Sequence, residues 1–230
     1  MKVANMMHLM TLAALSGCAT AGNPDPLEQV NRKTFAFNQK LDDVVLKPVA
    51  KGYQKVVPGT VRQSVRNFYA NPRDLLSAIS SFLQGRQIDG ASDLMRFATN
   101  STIGVLGLFD VATPLGFEKH NEDIGQALGY WGMGSGAYIV WPIFGPSSLR
   151  DTTTLVSNLV VTPQALVSDN SLYYSLTALQ ITNARSDQLT TSEILDDISI
   201  DQYLFVRDAY LRYRESLVHN GNLPADPDFE

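Results

Sequence analysis

Apolar residues along the first part of the chain recur at three- and four-residue spacing, the period of an amphipathic helix. Over 27–49 the run is Leu27, Val30, Thr34, Phe37, Leu41, Val44 and Val45, with Glu28, Asn31, Lys33, Gln39, Lys40, Asp42 and Lys47 largely on the other faces. Pro48 and Gly52 are the predicted stop. A second helix is predicted over about 59–69. Asn71-Pro72 then reads as an N-cap and first-turn proline for a helix over 73–84, whose Leu75, Leu76, Ile79, Phe82 and Leu83 share one face. Further helices are predicted over 87–99, 171–184, 193–198 and about 201–219, while 152–161 fits helix or strand. The last of these carries Tyr203, Val206, Tyr210, Tyr213 and Leu217 on one face, read as core, and ends at Asn220-Gly221. No hairpin series and no internal repeat is evident, so the fold class is mainly α.

The middle of the chain departs from that pattern. No charged residue lies between Arg96 and Asp110, where 103–109 is apolar with glycines at 104 and 107. Between Asp123 and Arg150 there is again no Asp, Glu, Lys or Arg, and from Ile124 to Ala184 the only charges are Arg150, Asp151 and Asp169. So long a charge-free stretch lies in a protein core, against lipid, or along an uncharged cavity. Surface-to-volume scaling leaves much of any segment of a 230-residue chain outside the core. Core and lipid or cavity contact therefore both stay open.

Composition narrows the class. Charged residues make up 18% of the chain, below the roughly 25% usual in soluble domains. The formal net charge is −5 and no basic run occurs, which argues against nucleic acid as a partner. A single cysteine excludes internal disulfides and CxxC-type sites. No run reaches the ~18 apolar residues of a spanning helix.

That one cysteine is placed to matter. Lys2, a short apolar stretch from Met6 to Leu15, and then Leu15-Ser16-Gly17-Cys18 read as a signal peptide over 1–17, too short to span a bilayer. Leu-Ser-Gly-Cys is similar to the bacterial lipobox, which makes Cys18 the expected lipidation site, with acylation by palmitate-type chains. Ala19, not Asp, follows, and by the same resemblance implies sorting to the outer membrane. Two or more acyl chains hold a protein stably where one does not. Residues 18–26 form a Gly/Pro/polar tether, 27–221 the helical domain and 222–230 a tail expected to be disordered.

Enzymatic chemistry finds little support. Besides His8 in the signal segment, only His120 and His219 are available as a base. Gly134-Ser135-Gly136 lacks the spacing of a nucleophile elbow. There is no HExxH and no G-K-[ST], so no metal, nucleotide or other cofactor is indicated. His120-Asn121-Glu122-Asp123 reads best as a helix N-terminus capped by Asn121. Alternate glycines at Gly132, Gly134 and Gly136 fit either a tight turn or a moving hinge.

Several ordered segments resemble one family. They are Asp25-Pro26-Leu27-Glu28, Asn31-Arg32 and Phe35-Ala36-Phe37-Asn38; then Arg96-Phe97, Asn100, Gly104 and Gly107-Leu108-Phe109-Asp110-Val111-Ala112; then Glu122-Asp123-Ile124-Gly125-Gln126, the stretch 128–136, Tyr138, Pro142 and 145–151. Together they are similar to the MlaA (VacJ) outer-membrane lipoproteins, from the lipobox to about Gly221. The short tail beyond departs from members with longer acidic extensions.

The resemblance implies a ring-like arrangement of amphipathic helices lying in the membrane plane, in the inner leaflet of the outer membrane, around a central amphipathic channel. It implies removal of mislocalised phospholipids from the outer leaflet and transfer to a soluble periplasmic carrier of the MlaC type. A trimeric porin beside the protein and an inner-membrane ABC-type complex that receives the lipid are further implications. By the same resemblance Gly132, Gly134 and Gly136 correspond to a channel hinge loop, and Phe35, Phe37 and Asn38 to the region that closes the channel opening. Two other classes stay open on the residues alone: a structural envelope lipoprotein that scaffolds porins, and a lipid hydrolase using His120 or His219.

Overall fold

A computed structural model describes residues 23–192 and 201–222. Cys18, the helix predicted over 193–198 and the tail from 223 onward lie outside the described residues.

The chain is mainly helical. Helix α1 (Glu28–Leu41) passes through a π-helical turn (Asp42–Leu46) into α2 (Lys47–Val56). Pro48 does not stop the helix. It falls directly after the π turn, whose wider pitch accommodates the missing N–H and the ring. Helix α3 (Gly59–Leu83) likewise runs through Pro72, where a helix start is predicted. An internal proline costs about 3 kcal/mol, and anchors in the turn just before it offset it. Tyr69 donates its hydroxyl to the Leu176 carbonyl at 2.7 Å, and Asn71 donates to Ser101 Oγ at 2.8 Å instead of capping a helix.

Helix α4 (Gln87–Thr102) folds back along α3, and the seam between them is polar. Asn71 meets Ser101, Asp74 lies 3.4 Å from Arg96, and Ser77 donates to Asp93 at 2.5 Å, three rungs of an antiparallel ladder. The aliphatic residues of the same helices turn away from the seam, leaving Ile79, Leu83, Leu94 and Met95 exposed.

After a run of turns, α5 (Ile124–Tyr130) begins at a cap different from the predicted one. Asp123, not Asn121, accepts from Gln126 N at 2.9 Å, while Asn121 sits at φ 57°. Its C-terminus is a Schellman motif: Gly132 N donates to Gly129 O at 2.9 Å and Met133 N to Leu128 O at 3.0 Å, with Gly132 at φ 89°.

A single antiparallel hairpin follows, β1 (Tyr138–Trp141) paired with β2 (Gly145–Ser148) in the register Tyr138↔Ser148 to Trp141↔Gly145. Then come α6 (Thr152–Val160), a 3₁₀ turn (Pro163–Leu166), α7 (Asn170–Asp187) and α8 (Gln202–Val218).

The apolar core is small, centred on Tyr138, Val140 and Tyr203 with Phe35 and Tyr210 against them. The last predicted aromatic stripe is therefore only partly core: Tyr203 is buried, whereas Tyr213 is 62% exposed. The segment read as a tether is held at its end. Asp25 is buried, accepts from Asn31 at 2.8 Å and from the Tyr203 hydroxyl, and Tyr138 N donates to Pro24 O at 3.0 Å.

Among the described residues, polar and charged side chains outnumber apolar ones more than two to one in the buried set, while large apolar side chains are exposed along nearly every helix. The molecule is patterned the reverse of a water-soluble domain. The stripe Val30, Phe37, Val44, Val45 and Val49 faces outward along α1 and α2. So do Ile103, Val105, Leu106 and Phe109 of the charge-free turn, and Val156, Leu159 and Val160 of α6. No described helix is long and apolar enough to cross a membrane.

Candidate functional site

The buried polar groups are organised into nodes that tie distant segments together. At the largest, Arg214 of α8 bonds Asp123 at 2.6 and 2.9 Å and Asp151 at 3.0 and 2.9 Å. Arg150 Nε adds a bond to Asp151 at 2.9 Å, Tyr210 donates to Asp151 at 3.0 Å, and Thr154 donates to Asp123 at 2.7 Å. Burial works to raise the Asp123 carboxyl, yet the hydrogen bonds and charge of Arg214 hold it at about 2. Asp151 is lowered in the same way against its own burial. The node thus stays ionised and paired at neutral pH, and it locks α5, the end of the hairpin, α6 and α8 to one another.

A second node lies between α3, α4 and the turns after α4. Arg96 bonds Asp110 at 3.0 and 3.1 Å, and donates to Thr113 Oγ1 at 2.9 Å and to the Phe117 carbonyl at 2.8 Å. Asn100 Oδ1 accepts from Val111 N at 2.8 Å and Ala112 N at 3.0 Å. Against burial, Thr113 and Arg96 hold Asp110 at about 2. Asp74, paired with Lys119 at 2.8 Å, is still raised because burial outweighs its partners.

Between the nodes runs a chain of cavities. One of about 670 Å³ is bordered by α1, the π turn and the hairpin loop. It shares Phe144, Gly145 and Pro146 with one of about 260 Å³, which shares Thr154 and Asn158 with one of about 170 Å³. That one in turn shares Asp74 with one of about 240 Å³ whose wall is almost wholly polar. The 240 and 170 Å³ cavities are lined chiefly by hydroxyls, carboxamides and paired charges, whereas the 260 Å³ one also presents Trp141, Phe144 and Leu155 and the 670 Å³ one Phe35, Leu46 and Ile143.

Phe35 and Asn38 both border the 670 Å³ cavity. Phe35 stacks edge-on against Tyr203 with ring centroids 5.6 Å apart. Phe37, predicted to act with them, points outward and is 54% exposed, because residues 35 and 37 lie about 200° apart around a helix.

Gly132 and Gly134 border a separate cavity of about 510 Å³ against α8, with Met133 and Ser135 between and beside them. Its wall includes Arg214, which also borders the 260 Å³ cavity. The loop is pinned at both ends, by Met133 N to Leu128 O and by Arg150 N to Ser135 O at 3.1 Å. Gly136, at φ 68°, leads into the hairpin, and a Cβ there would approach Leu149 Cβ to 3.0 Å. A Cβ at Gly134 would meet nothing within 4 Å, and φ there is not positive, so it is the unconstrained point of the loop.

His219 and Ser135 border this same cavity, but no hydrogen bond joins them among the described residues. His120 stands between Asp89 and Asp93, 3.4 Å from each. No cluster of metal-ligating side chains occurs among the described residues.

The family model for MlaA lipoprotein matches residues 23–217. The chain belongs to the MlaA lipoprotein family. It is 31% identical over 221 residues to the intermembrane phospholipid transport system lipoprotein MlaA of Escherichia coli K12, covering 94% of this chain and 86% of that one. It is 33% identical over 195 residues to an uncharacterized protein of Rickettsia typhi, covering 84% of this chain and 78% of that one. A solved structure from work on the structural basis for maintenance of bacterial outer membrane lipid asymmetry superimposes with a TM-score of 0.72. It is 29% identical and covers 84% of this chain and 98% of that chain.

The residues missed by pattern reading are those of the two nodes and the cavity walls. Arg214 reads as a charge on an outer face of the last helix, and Arg150 and Asp151 as two of only three charges between Ile124 and Ala184. The available signal is the family-like segment ending Arg150-Asp151, whose charges interrupt an otherwise uncharged run.

Proposed function

We propose that this MlaA-family chain carries phospholipid across the inner leaflet of a bacterial outer membrane, taking lipid from the outer leaflet and so maintaining lipid asymmetry. The observation that carries this reading is the reversal of polarity. An aliphatic exterior around buried polar nodes, with cavities whose walls mix polar groups and aromatic side chains, suits a protein seated in hydrocarbon that offers a two-tailed amphiphile a path. Exposed apolar patches of this extent mark membrane contact. Helices with an apolar outer face and no spanning length lie in the interface.

The physical problem is the headgroup, whose charge is costly to move through hydrocarbon. Paired charges and hydroxyls along the cavity walls lower that cost, while acyl tails stay against apolar surroundings. The helices ring a channel in this reading, and Gly132, Gly134 and Gly136 form its hinge loop, with Phe35 and Asn38 at the region that closes the opening and Phe37 on the outer face. Transport is passive, with direction set by a periplasmic carrier of the MlaC type, and a trimeric porin stands beside the protein. The acyl chains on Cys18 add an anchor facing the periplasm.

The experiment is complementation. In a strain lacking the chromosomal gene, the full chain lowers outer-leaflet phospholipid to the parental level. A chain that restores envelope integrity but leaves outer-leaflet phospholipid elevated is a scaffold, not a transporter.

A further inference from the structure

The 170 Å³ cavity between α3, the 121–123 turn and α6 is walled by Arg73, Asn121 and Asn158, among others. Its carboxylates are already occupied: Asp74 by Lys119 at 2.8 Å, Glu122 by Arg86 at 2.5 Å and Gln84 at 2.9 Å, Asp123 by Arg214. The arginines bordering the linked cavities are spoken for as well, Arg66 by Asp187 at 2.8 Å, Arg96 by Asp110, Arg185 by Asp42 and Arg214 by its two aspartates. Arg73 is the exception. Its guanidinium has no hydrogen-bond or ion-pair partner among the described residues, and neither do the carboxamides of Asn121 and Asn158.

Arg73 is also not an ordinary surface cation. Its side chain is solvent-accessible, yet enough protein surrounds it that burial pushes its pKa down. Together with Asn121 and Asn158 it borders a recess that is open to solvent. There a cation held without a counter-charge favours an anion that arrives from outside. The guanidinium fork matches the oxygens of a phosphate in a bidentate fashion. Two free carboxamides beside it add neutral donors. A cavity of about 170 Å³ falls below the 300–1,000 Å³ of a site for a whole drug-sized ligand. It accommodates a headgroup fragment and excludes acyl tails.

We infer that Arg73, with Asn121 and Asn158, forms a docking point for the phosphodiester of a glycerophospholipid headgroup on its way through the protein. This rests on the transport reading above and gives it a specific station. A zwitterionic headgroup suits the site, because its phosphate neutralises Arg73 and its ammonium meets a wall that is otherwise charge-balanced.

The test uses the full chain in neutral detergent, titrated calorimetrically with dihexanoyl phosphatidylethanolamine, with dihexanoylglycerol, which lacks the phosphate, and with inorganic phosphate. Arg73→Gln is expected to weaken phosphatidylethanolamine binding about tenfold, the loss of one charge-assisted contact, and to leave dihexanoylglycerol unchanged. Arg73→Lys recovers part of the loss. Because Arg73 has no partner to lose, the melting temperature of Arg73→Gln matches the parent and excludes a folding artefact. The inference is overturned if Arg73→Gln binds phosphatidylethanolamine like the parent, or if inorganic phosphate binds the parent as tightly as the lipid does. Complementation separates the two readings. A parent chain that clears outer-leaflet lipid while Arg73→Gln clears it equally well removes the docking point and keeps transport, whereas a parent chain that clears none removes transport itself.

Discussion

Asn38 and Ile143, more than a hundred residues apart, are joined by a hydrogen bond: Asn38 Oδ1 accepts from Ile143 N at 2.8 Å. The Asn38 amide nitrogen donates to the Trp141 carbonyl at 3.0 Å, so one side chain satisfies both backbone groups of the hairpin loop. Asn31, two helical turns earlier, does the same for the strand, accepting from Val140 N at 2.9 Å and donating to the Tyr138 carbonyl at 2.9 Å. Helix α1 thereby pairs with the hairpin edge through two carboxamides. Ile143, a β-branched residue, is held at φ 72°, a conformation it does not adopt freely.

Asn38→Ala removes both loop contacts, of which the one to the exposed Ile143 N–H can be replaced by water. The expected loss is about 1–2 kcal/mol, read as a lower urea midpoint at unchanged slope. A midpoint equal to the parent would show that the loop holds itself.

Arg214→Leu leaves Asp123 and Asp151 buried beside each other without their shared cation. Breaking a buried pair in this way costs about 3–5 kcal/mol, and the melting temperature should fall accordingly at pH 7. The parent has an acid limb with a defined sign. Asp123 is held at about 2 in the folded chain, below the ~3.9 of an unfolded aspartate. Its contribution, about 2–3 kcal/mol, is complete above pH ~4 and is lost as pH falls toward 2. In Arg214→Leu that part of the acid limb disappears, as stability measurements between pH 5 and 2 will show.

Two of the glycines facing the 510 Å³ cavity, Gly132 and Gly134, make opposite predictions. Gly132→Val forces a branched residue into φ 89° at the end of α5, which costs about 1–2 kcal/mol and lowers the melting temperature. Gly134→Val meets open space and no positive φ, so the fold is retained while the loop stiffens. If the loop moves during transport, Gly134→Val leaves outer-leaflet phospholipid high in a complemented strain at parental melting temperature. Parental clearance by Gly134→Val assigns the glycines to a fixed turn.

The outward aliphatic face predicts membrane binding independent of acylation. A non-acylated chain should float with phospholipid vesicles, and the combined change Val49→Asp, Leu106→Asp and Phe109→Asp should reduce that partition at least tenfold. Each exposed side chain of this size gains roughly 1.5–3 kcal/mol on entering an apolar phase. All three are more than half exposed and none holds the buried nodes.

Helix positions are largely legible in the sequence because amphipathic periodicity survives whichever solvent the apolar stripe meets. Periodicity does not say which face turns inward. Val30, Phe37 and Val44 mark a stripe at helical spacing, but in this molecule it faces out and Asn31 faces in. Pro72 reads as a boundary because its cost is local, while the bonds of Tyr69 and Asn71 that offset it are made to residues far along the chain. The hairpin is hidden for the same reason. Tyr138-Ile139-Val140-Trp141 is a short apolar run without alternation, and its partners include two asparagines of α1. Gly132 and Gly134 are legible as a special loop; Arg73 is not, since its significance is the absence of a partner that only packing reveals.

Passage of lipid along the adjoining cavities is tested most directly at Asn158, which borders both the 260 and the 170 Å³ spaces. The measurement is outer-leaflet phospholipid in a deletion strain complemented with Asn158→Trp, with the purified variant's melting temperature as control. A folded variant whose outer-leaflet phospholipid stays at the deletion level is the predicted result, because the indole intrudes on both spaces. A folded Asn158→Trp that clears phospholipid as the parent does would contradict that route.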